Sequence, residues 1–243
     1  MSSNRHSRGQ FIPALRFSAL TRFYDPLMAT VLRESAWKAE LVEQAGLSDG
    51  MRVLDLGCGT GTLTTRLARS APGVHVVGVD ADADALERAR TRIAESGAQA
   101  ELLDARAEAL PFDDWSFDRV VSSLLFHHLT TDGKRAALAE ARRVLNPHGE
   151  LHVADWGPPD GLLMRAAFFP VRVLDGFETT SDNARGALPS MIASARFERV
   201  EEMRRRRTTF GTLVFLRAWT GRASEDRGDS SHDLHATREE SPA

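Results

Sequence analysis

The chain has 243 residues, of which 42% are hydrophobic and 27% charged, and its formal net charge is −3. These values are ordinary for a soluble globular protein, and the absence of a basic excess argues against general nucleic-acid binding. The single cysteine, Cys58, excludes an internal disulfide and a cysteine-based metal cluster, so we predict no metal centre.

The first residues, MSSNRHSRGQFIPALRF, lack the continuous apolar core of a secretory signal. No stretch approaches the roughly 20 apolar residues of a membrane span, so we expect a cytoplasmic protein. We expect a flexible N-terminus over 1–19, one folded domain over 20–220 and a disordered tail over 221–243. The tail has almost no large apolar residues to bury. No pattern in the chain indicates an oligomeric state.

Apolar residues recur at helical spacing between Leu20 and Gly46, which predicts a helix that ends at the glycine. Short apolar runs then alternate with helical stretches. We predict strands at 51–56, 75–79, 100–103, 117–123 and 151–154, and helices at 62–70, 82–96 and 132–144. This alternation predicts an α/β fold with a doubly wound, mostly parallel sheet and helices on both faces.

The alternation stops after Trp156. An insertion at 157–187 contains an apolar helix followed by a polar loop, and a short helix is predicted near 188–195. Two strands around Gly211 have so short a connection that we expect an antiparallel pair. The first of them contains Arg204–Arg207, which favours a charged edge strand over an anion-binding site.

The stretch VLDLGCGTG at 53–61 places an acid inside a glycine-rich turn. It fits the dinucleotide pattern G-x-G-x-x-G poorly, because Gly61 comes one residue early. Asp55 would also repel a pyrophosphate. S-adenosylmethionine (SAM) carries an ammonium and a sulfonium but no phosphate, so it removes this conflict. An enzyme that uses a dinucleotide stays open as the less favoured alternative.

Two further acids follow predicted strands. Asp80 ends the second strand, where an acid can accept hydrogen bonds from both ribose hydroxyls, and Asp104 ends the third, where it can accept from an adenine amino group. Open α/β sheets bind ligands at these carboxyl ends. The alternative is that either acid caps the N-terminus of a helix.

Four segments together resemble class I SAM-dependent methyltransferases, which have a Rossmann-like fold: VLDLGCGTG, VVGVDAD, DARAEALPFDDWSFDRVVSSLLFHHL and RVLNPHGELHVADW. The resemblance covers about residues 20–220. The segment YDPLMATVLRESAWK at 24–38 is similar to the N-terminal signature of the ubiquinone/menaquinone C-methyltransferase branch. The asparagine of that signature is missing in this chain. The resemblance implies transfer of a methyl group from SAM, with S-adenosylhomocysteine as product, to a small quinol- or phenol-like acceptor, on carbon or oxygen. A SAM-binding regulatory or scaffold protein without turnover is the alternative.

The resemblance also implies roles for individual residues. Ser123 would face the cofactor near its methyl group. Tyr24 would belong to a helical lid over 20–46 that closes over SAM, or else be a surface aromatic. Cys58 is expected to be a small buried residue rather than a nucleophile. The implied cofactor contacts are Tyr24, Asp55, Gly57, Thr60, Gly61, Asp80, Asp104, Ala105 and Ser123.

The acceptor side is indicated by two features. His127 and His128 follow the fourth strand, where one of them could act as a general base, although the pair could equally pack or cap the next helix. We favour in-line positioning and desolvation over base catalysis. The insertion at 157–187 carries apolar residues that could wall an acceptor pocket or pack in the core: Leu162, Leu163, Met164, Phe168, Phe169 and Val173.

Overall fold

The computed structural model describes residues 34–221. The predictions for Tyr24, the N-terminal segment 1–19, the lid before residue 34 and the tail after residue 221 lie outside the described residues. Within them the strands are β1 (Arg52–Leu56), β2 (His75–Asp80), β3 (Ala100–Asp104), β4 (Phe117–Ser123), β5 (Leu145–Trp156), β6 (Arg199–Thr208) and β7 (Gly211–Trp219). The α-helices are α1 (Glu34–Ala45), α2 (Thr62–Ala68), α3 (Ala83–Ser96), α4 (Thr131–Val144), α5 (Gly161–Asp175), α6 (Phe177–Ala184) and α7 (Leu188–Ser194).

The strands form one seven-stranded sheet in the order β3-β2-β1-β4-β5-β7-β6. The first five strands along the chain pair in parallel, and β7 runs antiparallel to both β5 and β6. This confirms the predicted doubly wound sheet with a C-terminal antiparallel pair. The fifth strand is longer than predicted, because Leu145 already pairs with Phe117.

Both faces of the sheet are covered, as the continuous apolar strands predicted. In β1, Leu54 and Leu56 join one buried cluster, whereas Val53 points to the other face and packs in a second cluster with Trp37 of α1. This alternation explains why every residue of β1 after Arg52 is buried.

Helix caps decide one of the open alternatives. The side chain of Asp82 accepts from the backbone N–H groups of Asp84 and Ala85, so Asp82 and not Asp80 caps α3. Asp104 is followed by an irregular loop rather than a helix. The capping interpretation is therefore wrong for both acids, and their carboxylates remain available to a ligand.

The insertion differs from the prediction, because the expected polar loop contains the helix α6. Four of its polar residues are buried: Thr179, Thr180, Asp182 and Asn183. Thr131 donates to Asp182 at 2.7 Å, and the Lys134 Nζ atom donates to the Thr179 carbonyl at 2.5 Å. Tertiary hydrogen bonds thus stabilise a helix that contains only two apolar residues.

The arginine run lies on β6, which is an edge of the sheet. Arg204 and Arg206 both pair with Glu40 of α1 at 3.1 Å, and Arg205 pairs with Asp160 at 3.0 Å. These ion pairs support the charged-edge interpretation over an anion site. Among the helices of residues 34–221, none has the length and apolar character needed to cross a membrane.

Candidate active site

The glycine loop between β1 and α2 is folded back onto the end of β2. The backbone N–H groups of Gly57 and Cys58 both donate to the Val79 carbonyl at 2.9 Å. Gly57 has φ of 76°, and a Cβ atom there would lie 2.8 Å from Leu125 Cδ1. This position therefore requires glycine for both its backbone conformation and its close packing.

Asp55 lies beneath this loop and is fully buried. Thr64 donates to its Oδ2 atom at 2.6 Å, while Oδ1 has no hydrogen-bond partner within the described part of the chain. Burial raises the pKa of Asp55 to about 6, although the Thr64 hydrogen bond opposes the rise. A buried carboxylate oxygen without a donor suits a ligand that carries positive charge.

Asp80 connects the glycine loop to the start of α3. Its carboxylate accepts from the N–H of Gly59 at 2.8 Å and from that of Asp82 at 2.9 Å. Burial raises its pKa, and these two backbone donors oppose the rise. Each carboxylate oxygen can accept a second hydrogen bond, so a ribose remains a possible partner.

A small cavity of about 70 Å³ opens beside Asp80 and brings some of the predicted residues together. It is lined by Gly57, Val79, Asp80, Ala81, Ala105, Arg106, Ala107, Glu108, Leu125 and Leu129. This volume is below that of whole small-molecule sites, roughly 300–1,000 Å³, so the cavity accounts for only part of a cofactor site. The sequence analysis did not single out Arg106, Glu108, Leu125 or Leu129.

The remaining predicted contacts lie around this cavity rather than in its lining. Asp104 is exposed at the end of β3, directly opposite Asp80 in the register. The Thr60 carbonyl accepts from Arg92 at 2.9 Å, and Ser123 is half-buried at the end of β4. Cys58 is buried and burial raises the pKa of its thiol, which fits the expected inert residue.

The chain turns sharply where it leaves β4. Leu124 has φ of 55°, which is uncommon for a residue with a side chain, and its N–H donates to the Ala154 carbonyl at 2.9 Å. This turn places Leu125 over Gly57 and starts a short 3₁₀-helix, Phe126–His128. A strained backbone of this kind is often found at functional sites.

His127 is buried between two carboxylates. Its Nδ1 atom lies 2.8 Å from Asp155 Oδ1, and its Nε2 atom lies 3.6 Å from Asp175 Oδ2. Burial lowers the pKa of His127, but the two carboxylates outweigh it and raise the pKa overall. His128 differs from His127. Burial, together with the nearby His127 and Lys134, holds the pKa of His128 well below its usual value.

Asp155 is another residue of the site that the sequence analysis did not name. It accepts from His127, from the Phe126 N–H at 2.8 Å and from Asn183 Nδ2 at 3.2 Å. A signal was present, since Asp155 closes β5 as Asp80 closes β2. Neither histidine caps the next helix, because Thr130 caps α4.

SAM fits these residues on structural grounds. The unpartnered Asp55 oxygen calls for a cation, and Gly57 leaves the loop no room for a side chain. The model of the family described as "Methyltransferase domain" matches residues 53–149. A demethylmenaquinone methyltransferase of Thermus thermophilus is 36% identical over 158 residues, which are 63% of this chain and 71% of that protein. The chain belongs to the class I SAM-dependent methyltransferases.

Other comparisons agree with this assignment. A ubiquinone/menaquinone biosynthesis C-methyltransferase of Shewanella is 31% identical over 186 residues, a match that covers 68% of the present chain and 73% of the Shewanella protein. Some curated relatives are matched over only about half of their own length, 54% in one case. The YcgJ protein of Bacillus subtilis has the same fold, with a TM-score of 0.60 at 17% identity over 76% of this chain and 97% of its own. The cofactor of the methyltransferase is SAM, and the dinucleotide alternative is set aside.

Proposed function

We propose that the enzyme methylates a small apolar or aromatic acceptor of the quinol or phenol type, on carbon or oxygen. The position of α5 carries the proposal. Asp175, at its C-terminal end, lies 3.6 Å from His127 and 3.9 Å from His128, just beyond β4. The exposed side chains of the same helix are mostly apolar, so an apolar surface adjoins the polar cluster where an acceptor would be held.

The apolar residues named from the sequence divide into two groups. Phe168 is buried against Trp156, with ring centroids 5.5 Å apart, so core packing accounts for it. Phe169 and Val173 are 57% and 55% exposed in the described structure, and Phe169 contacts Phe177 of α6. Contiguous exposed apolar side chains are typical of a ligand or partner site. The names of the quinone-methylating relatives support an aromatic acceptor.

SAM supplies the electrophilic methyl group. In our proposal Asp55 pairs with the ammonium of SAM through its free oxygen, and Asp80 accepts from the ribose hydroxyls. The adenine lies against Ala105, with Asp104 beside its amino group, and Ser123 faces the methyl group. Thr60 and Gly61 contribute backbone to the methionyl part, and Tyr24 remains the proposed lid residue.

Positioning is the preferred source of catalysis. His127 is buried, and the space beyond its Nε2 atom is occupied by Asp175, so an acceptor hydroxyl would have to displace that carboxylate. His128 is only partly exposed, and its lowered pKa makes it a weak base. In-line alignment of acceptor and methyl group, with water excluded, needs neither residue to accept a proton.

The proposal is tested with methyl-labelled SAM and a panel of quinols, phenols and amines, with products identified by mass spectrometry. Phe169→Ser and Val173→Ser change exposed residues and should raise the KM for the acceptor about 10-fold or more, since burial of such a side chain stabilises by about 1.5–3 kcal/mol. The KM for SAM should not change. Trp115→Ser is the control, because Trp115 is 65% exposed and precedes the amino end of β4.

Two results would count against the proposal. Transfer to amines alone would refute the acceptor class. If SAM binds and no member of the panel is methylated, the regulatory alternative without turnover gains support.

A further inference from the structure

Direct hydrogen bonds account for only one of the two ring nitrogens of His127. Asp155 accepts four hydrogen bonds, including those from its neighbour Trp156 at 2.7 Å and from His127 Nδ1 at 2.8 Å. Because the carboxylate is the acceptor, Nδ1 carries the hydrogen. The lone pair of a neutral His127 is then on Nε2, which faces Asp175 Oδ2 at 3.6 Å, too far for a direct hydrogen bond.

The same carboxylate faces the second histidine. His128 Nδ1 lies 3.9 Å from Asp175 Oδ1, and the two imidazole rings lie 4.0 Å apart between centroids. One ligand atom from each of His127, His128 and Asp175 falls within 4.8 Å of the others. Three electron-pair donors therefore lie close enough together for small side-chain movements to bring them to one positive ion.

We infer that His127, His128 and Asp175 bind a divalent transition metal of the zinc type. Two imidazoles and one carboxylate are a donor set used by zinc and related ions, which leave further positions open for water or substrate. Metal–ligand bonds of about 2.1 Å allow two ligands to lie up to about 4.2 Å apart. The 3.6 and 3.9 Å separations meet this limit, but they run to different oxygens of Asp175. With one atom from each residue the three lie within 4.8 Å, so binding requires a small side-chain adjustment. This inference departs from the sequence, which predicted no metal.

The residues that hydrogen-bond to His127 resemble those that surround the ligands in known metal sites. A histidine that binds a metal commonly donates its other ring N–H to a carboxylate, which fixes the orientation of the ring. Asp155 has this relation to His127, and Asn183 and the Phe126 N–H hold Asp155 in turn. Asp155 is fully buried, so its orientation is fixed by these contacts.

The charges of the cluster also favour a cation. Two carboxylates, those of Asp155 and Asp175, face His127 from opposite sides, and such acidic surroundings suit a divalent ion. The nearby cation Lys134 is already engaged, because its Nζ atom contacts the carbonyls of Leu129 and Thr179 and lies 3.4 Å from Asp182 Oδ2. Any use of the open metal positions by an acceptor oxygen rests on the proposed function, whereas binding of the metal does not.

The test measures metal binding by the full-length protein without SAM or acceptor. Titration with Co²⁺ should give visible d–d absorption with one equivalent bound, and Zn²⁺ should displace it. Loss of an outer-sphere partner weakens metal binding about 10- to 100-fold. Loss of a direct ligand in His128→Gln or Asp175→Asn should therefore weaken it by at least about 100-fold. His75→Gln and His148→Gln change exposed histidines outside the cluster and should bind as the parent does.

The outcomes separate the alternatives. Absence of Co²⁺ absorption in the parent protein overturns the inference, and this measurement needs no variant to fold. Unchanged affinity in both His128→Gln and Asp175→Asn, with parental melting temperatures, places the metal elsewhere and also overturns it. Because methyl transfer is not measured, failure of this inference leaves the proposed acceptor chemistry untouched.

Discussion

Replacement of Asp55 by Asn should change how stability depends on pH. The folded-state pKa of Asp55 is about 6, against 3.8 for the free side chain, because the carboxylate is buried. The folded state then binds more protons than the unfolded state between these values. Its free energy of unfolding falls as the pH rises from about 4 to about 6, and stays at the lower value above that. At about 1.4 kcal/mol per pKa unit, the loss is about 3 kcal/mol.

The Asn variant lacks this titration. We expect the difference in unfolding free energy between variant and parent to shift by about 2–3 kcal/mol in favour of the variant between pH 4 and pH 7. Urea denaturation at each pH measures it, and other titrating groups cancel in the difference. Thr64→Val is an informative companion, since it removes the donor that lowers the pKa of Asp55 and should move the transition to higher pH.

SAM binding should lower the raised pKa of Asp55. An ammonium beside the free Oδ1 atom favours the charged carboxylate, so SAM binding to the parent at pH 5–6 should release up to about one proton. Calorimetry in buffers with different ionisation enthalpies measures this release, which Asp55→Asn should abolish. A parent whose stability difference from the variant is independent of pH, and which releases no proton, would refute both the raised pKa and the ammonium contact.

Two more predictions concern the cofactor loop. Asp80→Ala should weaken SAM binding by about 2–3 kcal/mol, because the ribose loses a charged acceptor and Gly59 loses its hydrogen-bond partner; calorimetry that shows parental affinity in a folded variant contradicts the assignment. Gly61→Ala places a Cβ 2.9 Å from Ala89 Cβ at φ of 75° and should destabilise by about 1–3 kcal/mol in urea. Gly97→Ala has similar φ and open space around it, so it should cost less, and equal losses would rule out the clash.

The sheet could be predicted from sequence because its signals are local. Continuous apolar runs identify buried parallel strands, and the acids that follow them mark the ligand edge. The helix α6 could not be predicted in this way, because FETTSDNA contains only two apolar residues. Its stability depends on partners such as Thr131 and Lys134, which are about 50 residues away in the chain.

The site around His127 shows the same limit. The histidine pair was evident from the sequence, but its chemistry depends on Asp155 and Asp175, which belong to β5 and α5. The position of Asp155 at a strand end was a usable signal. Asp175 had none, since an acid near the end of an apolar helix is common and only the packing of α5 brings it to the histidines.

Four acids at or near the ends of parallel strands have different structural roles, and these divide the edge of the sheet into two halves. On β1 and β2, Asp55 leaves an oxygen free for a cationic ligand and Asp80 supports the glycine loop. On β3, Asp104 is exposed. On β5, both oxygens of Asp155 already accept hydrogen bonds from neighbouring groups, and one of these bonds orients His127. Leu125 packs over Gly57 and lines the cavity beside Asp80, and the turn at Leu124 precedes the short helix that carries His127. In the proposed function, in-line methyl transfer depends on how this short stretch spaces the cofactor and acceptor sides.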